Sequence, residues 1–248
     1  MLFQKFLSEF LEFGGLGSAY SRLYKIKPGG FNTISAIATG PGNPPEYTTD
    51  PSEIAKSHRA PPDLKGNRWG HAGGLSFEMS VGKERLIVNC GSARHLGEAW
   101  HQALRATAAH STMTVDDVNS AEVHRLGGFK RIPSNVYCNR REIDGKTVIE
   151  ASSDGYKKPF DLVHRRMLMM SADGTEVVGE DQLSGLGGRN YALRFHLHPN
   201  VKATLIQHGK TALLKPRRGP AWDPAACRAA AGAARVRSRR SMLAVTRE

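Results

Sequence analysis

The stretch Leu75–Cys90, LSFEMSVGKERLIVNC, decides the fold. Leu75, Phe77, Met79 and Val81 alternate with Ser76, Glu78 and Ser80. Gly82 and Lys83 make a turn, after which Leu86, Val88 and Cys90 alternate with Ile87 and Asn89. Period-two alternation on both sides of a glycine-containing turn predicts a β-hairpin with one buried face.

The same rhythm recurs downstream. Leu162, His164, Arg166, Leu168 and Met170 alternate with Val163, Arg165, Met167 and Met169. Tyr191, Leu193, Phe195 and Leu197 alternate with Ala192, Arg194 and His196. Turns at Asp144-Gly145 and Asp173-Gly174 separate short strands. Only Arg94–His110 has helical texture, with Leu96, Trp100 and Leu104 four apart. Repeated short strands joined by tight turns predict an all-β antiparallel sandwich over residues 29–214.

Two flanking segments break this pattern. Met1–Phe13, MLFQKFLSEFLEF, has helical apolar spacing, so residues 1–28 read as a short helical remnant or linker. It lacks the continuous apolar run and cleavage site of a signal peptide. Residues 215–248 carry no alternation and read as a basic, disordered tail. A natural basic interaction tail is the alternative. Gly40–Pro62, rich in proline, reads as a long loop.

Composition narrows the function classes. With 248 residues, 40% apolar and 23% charged, the chain can bury a substantial core. No apolar run reaches the length that spans a bilayer. The net charge of +12 invites a nucleic-acid reading, but nine Lys or Arg against two acids lie from Lys215 onward. That places most of the excess in the tail and argues against a specific nucleic-acid surface. Cys90, Cys138 and Cys227 are too few for a disulfide framework and show no zinc-type CxxC spacing.

Three histidine-bearing places invite chemistry: His71 in the glycine-rich approach to the hairpin, His110 before a strand, and His196-Leu197-His198. An H-x-H pair can chelate a metal, although a structural or surface histidine is the plainer reading of each.

The runs Gly70–Met79 (GHAGGLSFEM), Val88–Gly91 (VNCG), Arg105–Asp117 (RATAAHSTMTVDD), Leu162–Gly174 (LVHRRMLMMSADG), Gly179–Leu183 (GEDQL) and Leu193–Pro199 (LRFHLHP) resemble one family. In this order, from Phe31 to Leu214, they are similar to the C-terminal sheet domain of heparinase II/III-like polysaccharide lyases. The resemblance implies an antiparallel supersandwich that works with a helical toroid. It implies β-elimination on an acidic, uronate-containing polysaccharide in the periplasm or cell envelope. Met1–Lys27 is too short to be a toroid, so activity is expected to need a part supplied elsewhere.

The resemblance also implies a zinc site at His71, Asn89 and His110, with Arg105 and Thr107 in the same motif. The family's acidic ligand is Asn89 here, a weaker donor for zinc, so any zinc would be structural. The family's first histidine is Trp69 here, and the acid that follows the second is Gly73. No residue is therefore assigned as catalytic. His164, Arg165 and Arg194 are expected to bind the acidic sugar chain. The alternative function is a non-catalytic carbohydrate-binding sandwich.

Overall fold

The computed structural model describes residues 9–17, 20–26, 32–37, 69–81, 84–92, 97–174, 176–187, 189–206, 211–216 and 235–238. Its elements run β1 (Glu9–Gly17), β2 (Tyr20–Ile26), β3 (Asn32–Ile37), β4 (Phe77–Val81), β5 (Glu84–Val88), α1 (Glu98–Arg105), β6 (Met113–Val115), β7 (Glu122–Val123) and β8 (Phe129–Arg131). They continue as β9 (Val136–Ile143), β10 (Lys146–Ser153), α2 (Lys157–Phe160), β11 (Leu162–Met170), β12 (Val177–Gly185), β13 (Arg189–Leu197), β14 (Val201–Ile206), β15 (Thr211–Pro216) and β16 (Arg235–Ser238).

Two antiparallel sheets form the body. The larger has the order β16-β1-β13-β5-β4-β3, with β6 also paired to β13. The smaller has the order β2-β12-β11-β10-β9. Inward side chains of both sheets meet in one core, including Phe77, Met79, Leu86, Met113, Leu193 and Phe195 from one sheet. Ile149, Ala151, Leu168, Val177 and Leu183 come from the other. This is the two-layer packing that the alternation predicts.

Local chemistry sets the register. The β9–β10 hairpin closes through Asp144 and Gly145, both at positive φ, and pairs Ile143 with Lys146. Asp-Gly suits this primed turn, whose twist matches that of the flanking strands. In β11 the burial alternates strictly from Leu162 to Leu168, so His164 and Arg166 point inward and Arg165 outward.

The N-terminal expectation is corrected. Where a helix was expected in residues 1–28, β1 pairs with β13 from Phe10 opposite His196 to Gly17 opposite Arg189, and β2 pairs with β12. Gly14, Gly15 and Gly17 weaken any helix there. Sheet pairing along eight register positions outweighs the helical apolar spacing. Met1–Ser8 lies outside the described residues, as does Gly40–Pro62.

The tail expectation is corrected in part. Arg235–Ser238 forms β16 and pairs with Glu9–Glu12 of β1. Its sequence, RVRS, supplies an alternating segment short enough to be overlooked. Residues 217–234 and 239–248 lie outside the described residues.

Candidate functional site

The glycine-rich approach to β4 is clamped from below by the segment after α1. Arg105 is fully buried. It donates from Nε to the Gly70 carbonyl at 2.8 Å, from Nη2 to Gly128 at 2.8 Å and from Nη1 to His124 at 3.3 Å. The Ala72 amide donates to the Arg105 carbonyl at 2.8 Å. Thr107 Oγ1 donates to the Ala72 carbonyl at 2.6 Å, and Thr112 Oγ1 to Gly74 at 2.9 Å. A guanidinium presents five donors in a fixed fork, so one side chain ties the Gly70 segment to the His124–Gly128 turn through three carbonyls.

This clamp brings His71 and His110 together. Their rings meet edge to face at 5.3 Å, with His71 Nδ1 3.3 Å from His110 Nε2. His110 Nδ1 lies 2.8 Å from the Ala106 carbonyl, which can only accept. Burial pushes the His110 imidazole down to about 4, against a smaller upward pull from that hydrogen bond. His110 is therefore neutral, carries its proton on Nδ1 and accepts at Nε2 from His71. Gly73 makes room for this ring. A Cβ there would stand 2.6 Å from His110 Cδ2.

Asn89, the third expected ligand, has other duties. Its Oδ1 accepts the Ser111 amide at 2.8 Å. Its backbone N–H and side-chain amide both face Glu78 Oε1, at 3.1 and 3.4 Å. Burial raises the Glu78 carboxyl, partly offset by the Asn89 backbone hydrogen bond. An amide at position 89 can donate to Glu78, whereas a carboxylate there would repel it. The donor set is thus two imidazoles and an engaged neutral carbonyl. Among the described residues no carboxylate or thiolate completes a group of three. These residues do not fit a closed zinc site.

The other expected histidine pair is split. His196 is buried, with Nε2 2.9 Å from the Ala108 carbonyl and Nδ1 3.5 Å from Cys90 Sγ. His198 lies where β13 has ended, and its Nε2 is 3.4 Å from Arg85 Nη2.

The expected sugar-binding strip is also divided. His164 is buried and donates from Nε2 to Asp181 Oδ1 at 2.6 Å. Burial holds its imidazole below the ordinary value, against the upward pull of Asp181. Burial would raise the Asp181 carboxyl, but the Arg166 charge and the hydrogen bonds from His164 and Arg166 hold it low. Arg194, on the opposite sheet, is buried and donates to Thr114 Oγ1 at 2.5 Å. Arg165 alone is exposed, on the outer face of the five-stranded sheet. Within β11 the division follows from the pleat: successive residues face opposite sides.

Around Arg165 that outer face forms a depression of about 410 Å³. Tyr137, Glu150, Ser152, Glu180 and Gln182 help line it. Sequence reasoning missed these residues. Their shared face depends on the pairing of four strands, although outward alternation within each strand was available.

The family model described as heparinase II/III-like, C-terminal, matches residues 43–244. The chain belongs to that family, whose expected all-β sandwich is the fold found here. It is also similar to FtsZ-localized protein C of Caulobacter vibrioides (strain NA1000 / CB15N), at 32% identity over 165 residues. That similarity covers 58% of this chain and 27% of the relative, so the chain spans about a quarter of the relative's length. No solved structure matches the chain.

Proposed function

We propose that this chain is the polysaccharide-recognising sandwich of a heparinase II/III-like lyase, acting on a uronate-containing polymer of the periplasm or cell envelope. In this reading the chain does not complete β-elimination by itself. The observation that carries it is the His71–His110 pair. His71 is partly exposed, and the neutral His110 behind it fixes its orientation. Two residues before it, Trp69 is 43% exposed and offers an aromatic face to a sugar ring.

β-Elimination asks for more than an oriented imidazole. A base takes the proton beside the uronate carboxylate, positive charge or donors neutralise that carboxylate, and an acid protonates the leaving oxygen. Arg105, in the same loop cluster, is buried and engaged with three carbonyls. The remaining groups are assigned to a helical toroid outside these strands, because positioning both sides of a cleft supplies much of the rate. Zinc has no step in this reading.

A second reading, a non-catalytic carbohydrate-binding sandwich, is favoured by Trp69 and Asn89, which stand where the family resemblance expects an imidazole and a carboxylate. The name of the relative, FtsZ-localized protein C, speaks of a location rather than of a reaction. It sits with this second reading.

Calorimetric titration with uronate oligosaccharides and with their carboxyl-reduced counterparts tests the shared premise. Tighter binding of the acidic set is expected. Equal binding of both sets, or of neither, contradicts it.

A further inference from the structure

The outer face of the five-stranded sheet carries a row of side chains that the fold itself does not use. Ser152 lies opposite Tyr137 on one side and Arg165 on the other, and Arg165 lies opposite Gln182. Residues opposite one another on a sheet face stand close enough to touch a common ligand. Four strands set the row across roughly 14 Å of sheet.

The charges on this face are unevenly compensated. Glu150, in the neighbouring row, pairs with Arg141 at 2.6 Å. The Arg165 side chain makes no hydrogen bond or ion pair among the described residues, its backbone being paired in the sheet. Tyr137, two strands away on the far side of Ser152, is 50% exposed. A guanidinium recognises a carboxylate with two parallel hydrogen bonds, and a tyrosine ring covers an apolar sugar face. Ser152 and Gln182 add short-range donors and acceptors for hydroxyls.

From this juxtaposition we infer that Tyr137, Ser152, Arg165 and Gln182 form a binding site for a carboxylate-bearing sugar unit. The site lies on the outer face of the five-stranded sheet. The inference rests on the reading that the ligand is an acidic polysaccharide. It adds where one uronate is held: on the sheet other than the one that the His71 and His110 segments lead into. The guanidinium of Arg165 takes the carboxylate, and Tyr137 takes the ring.

Titration of the full chain with a defined uronate oligosaccharide tests it, using Arg165→Gln, Tyr137→Ala and, as a remote control, Lys130→Gln. These positions are exposed, and thermal melting of each variant checks that the fold is kept. Arg165→Gln should weaken binding about tenfold or more, the scale of a charge-assisted contact. It should leave the weaker binding of the carboxyl-reduced oligosaccharide unchanged. Tyr137→Ala should weaken both ligands, and Lys130→Gln neither.

Acid-selective binding that survives both Arg165→Gln and Tyr137→Ala overturns this site while leaving the acidic-polysaccharide reading in place. Absence of acid-selective binding in the parent chain overturns both. A change of oligomeric state in Arg165→Gln, without loss of sugar affinity, assigns the face to a second copy of the chain and overturns the site.

Discussion

Arg166 holds Asp181 at two points inside the sandwich, Nε to Oδ1 at 2.8 Å and Nη2 to Oδ2 at 3.0 Å. Both side chains are fully buried. The remaining guanidinium nitrogen, Nη1, donates to the Leu75 carbonyl at 2.7 Å and to Ser111 at 2.9 Å. Arg166 belongs to the five-stranded sheet, Leu75 leads into β4 and Ser111 follows His110. One side chain therefore ties the second sheet to both segments that carry the histidine pair. Its guanidinium carbon also lies 5.2 Å from the Phe77 ring centroid.

Asp181→Asn leaves a buried guanidinium without its counter-charge. Removing one partner of a buried pair costs about 3–5 kcal/mol. Urea unfolding of the parent and the variant should show a loss of that size. A loss below about 1 kcal/mol would mean that the pair contributes little beyond packing.

Acid should destabilise the fold well before general denaturation. His110, held down to about 4, stays neutral in the folded chain while its unfolded counterpart binds a proton below about 6.5, and His164 is shifted in the same direction. Between those values the unfolded state carries the extra protons, so stability falls as pH falls. His110 alone accounts for something on the order of 3 kcal/mol across this window. Asp181 adds to the loss further down, because its carboxylate contributes above the unfolded value near 4 and is lost below it. Urea midpoints measured in steps from pH 7 to pH 4, with a chelator present, should decline steadily. A flat series contradicts the buried neutral imidazoles.

Gly73→Ala tests the close approach that lets the histidines meet. The added Cβ falls 2.6 Å from His110 Cδ2, and that ring is hydrogen-bonded at both nitrogens. The ring has to shift, at a cost of about 1–3 kcal/mol. Nitrogen NMR of the imidazoles should show the His71–His110 hydrogen bond lost in the variant. Unchanged imidazole signals would place the contact elsewhere.

The alternation that makes β4, β5, β11 and β13 legible in sequence is local, and the structure follows it closely. What it cannot supply is register. His164 reads as part of a sugar-binding strip until Asp181, on the next strand, is paired against it. Asn89 reads as a degraded metal ligand until Glu78, eleven residues earlier, is seen to accept its amide. Tyr137, Ser152, Arg165 and Gln182 are unremarkable singly and meet only when four strands align. Residues 9–13 show the opposite failure, the described end of a local helical spacing overruled by pairing to β13.

The proposed function has this chain bind an acidic polysaccharide without cleaving it on its own. Incubating the pure chain with uronate polymers, and following the ultraviolet absorbance of unsaturated uronate ends, distinguishes binding from cleavage. No unsaturated product should accumulate under conditions in which calorimetry shows the polymer bound. Sustained turnover, abolished by His71→Ala, would contradict that proposal.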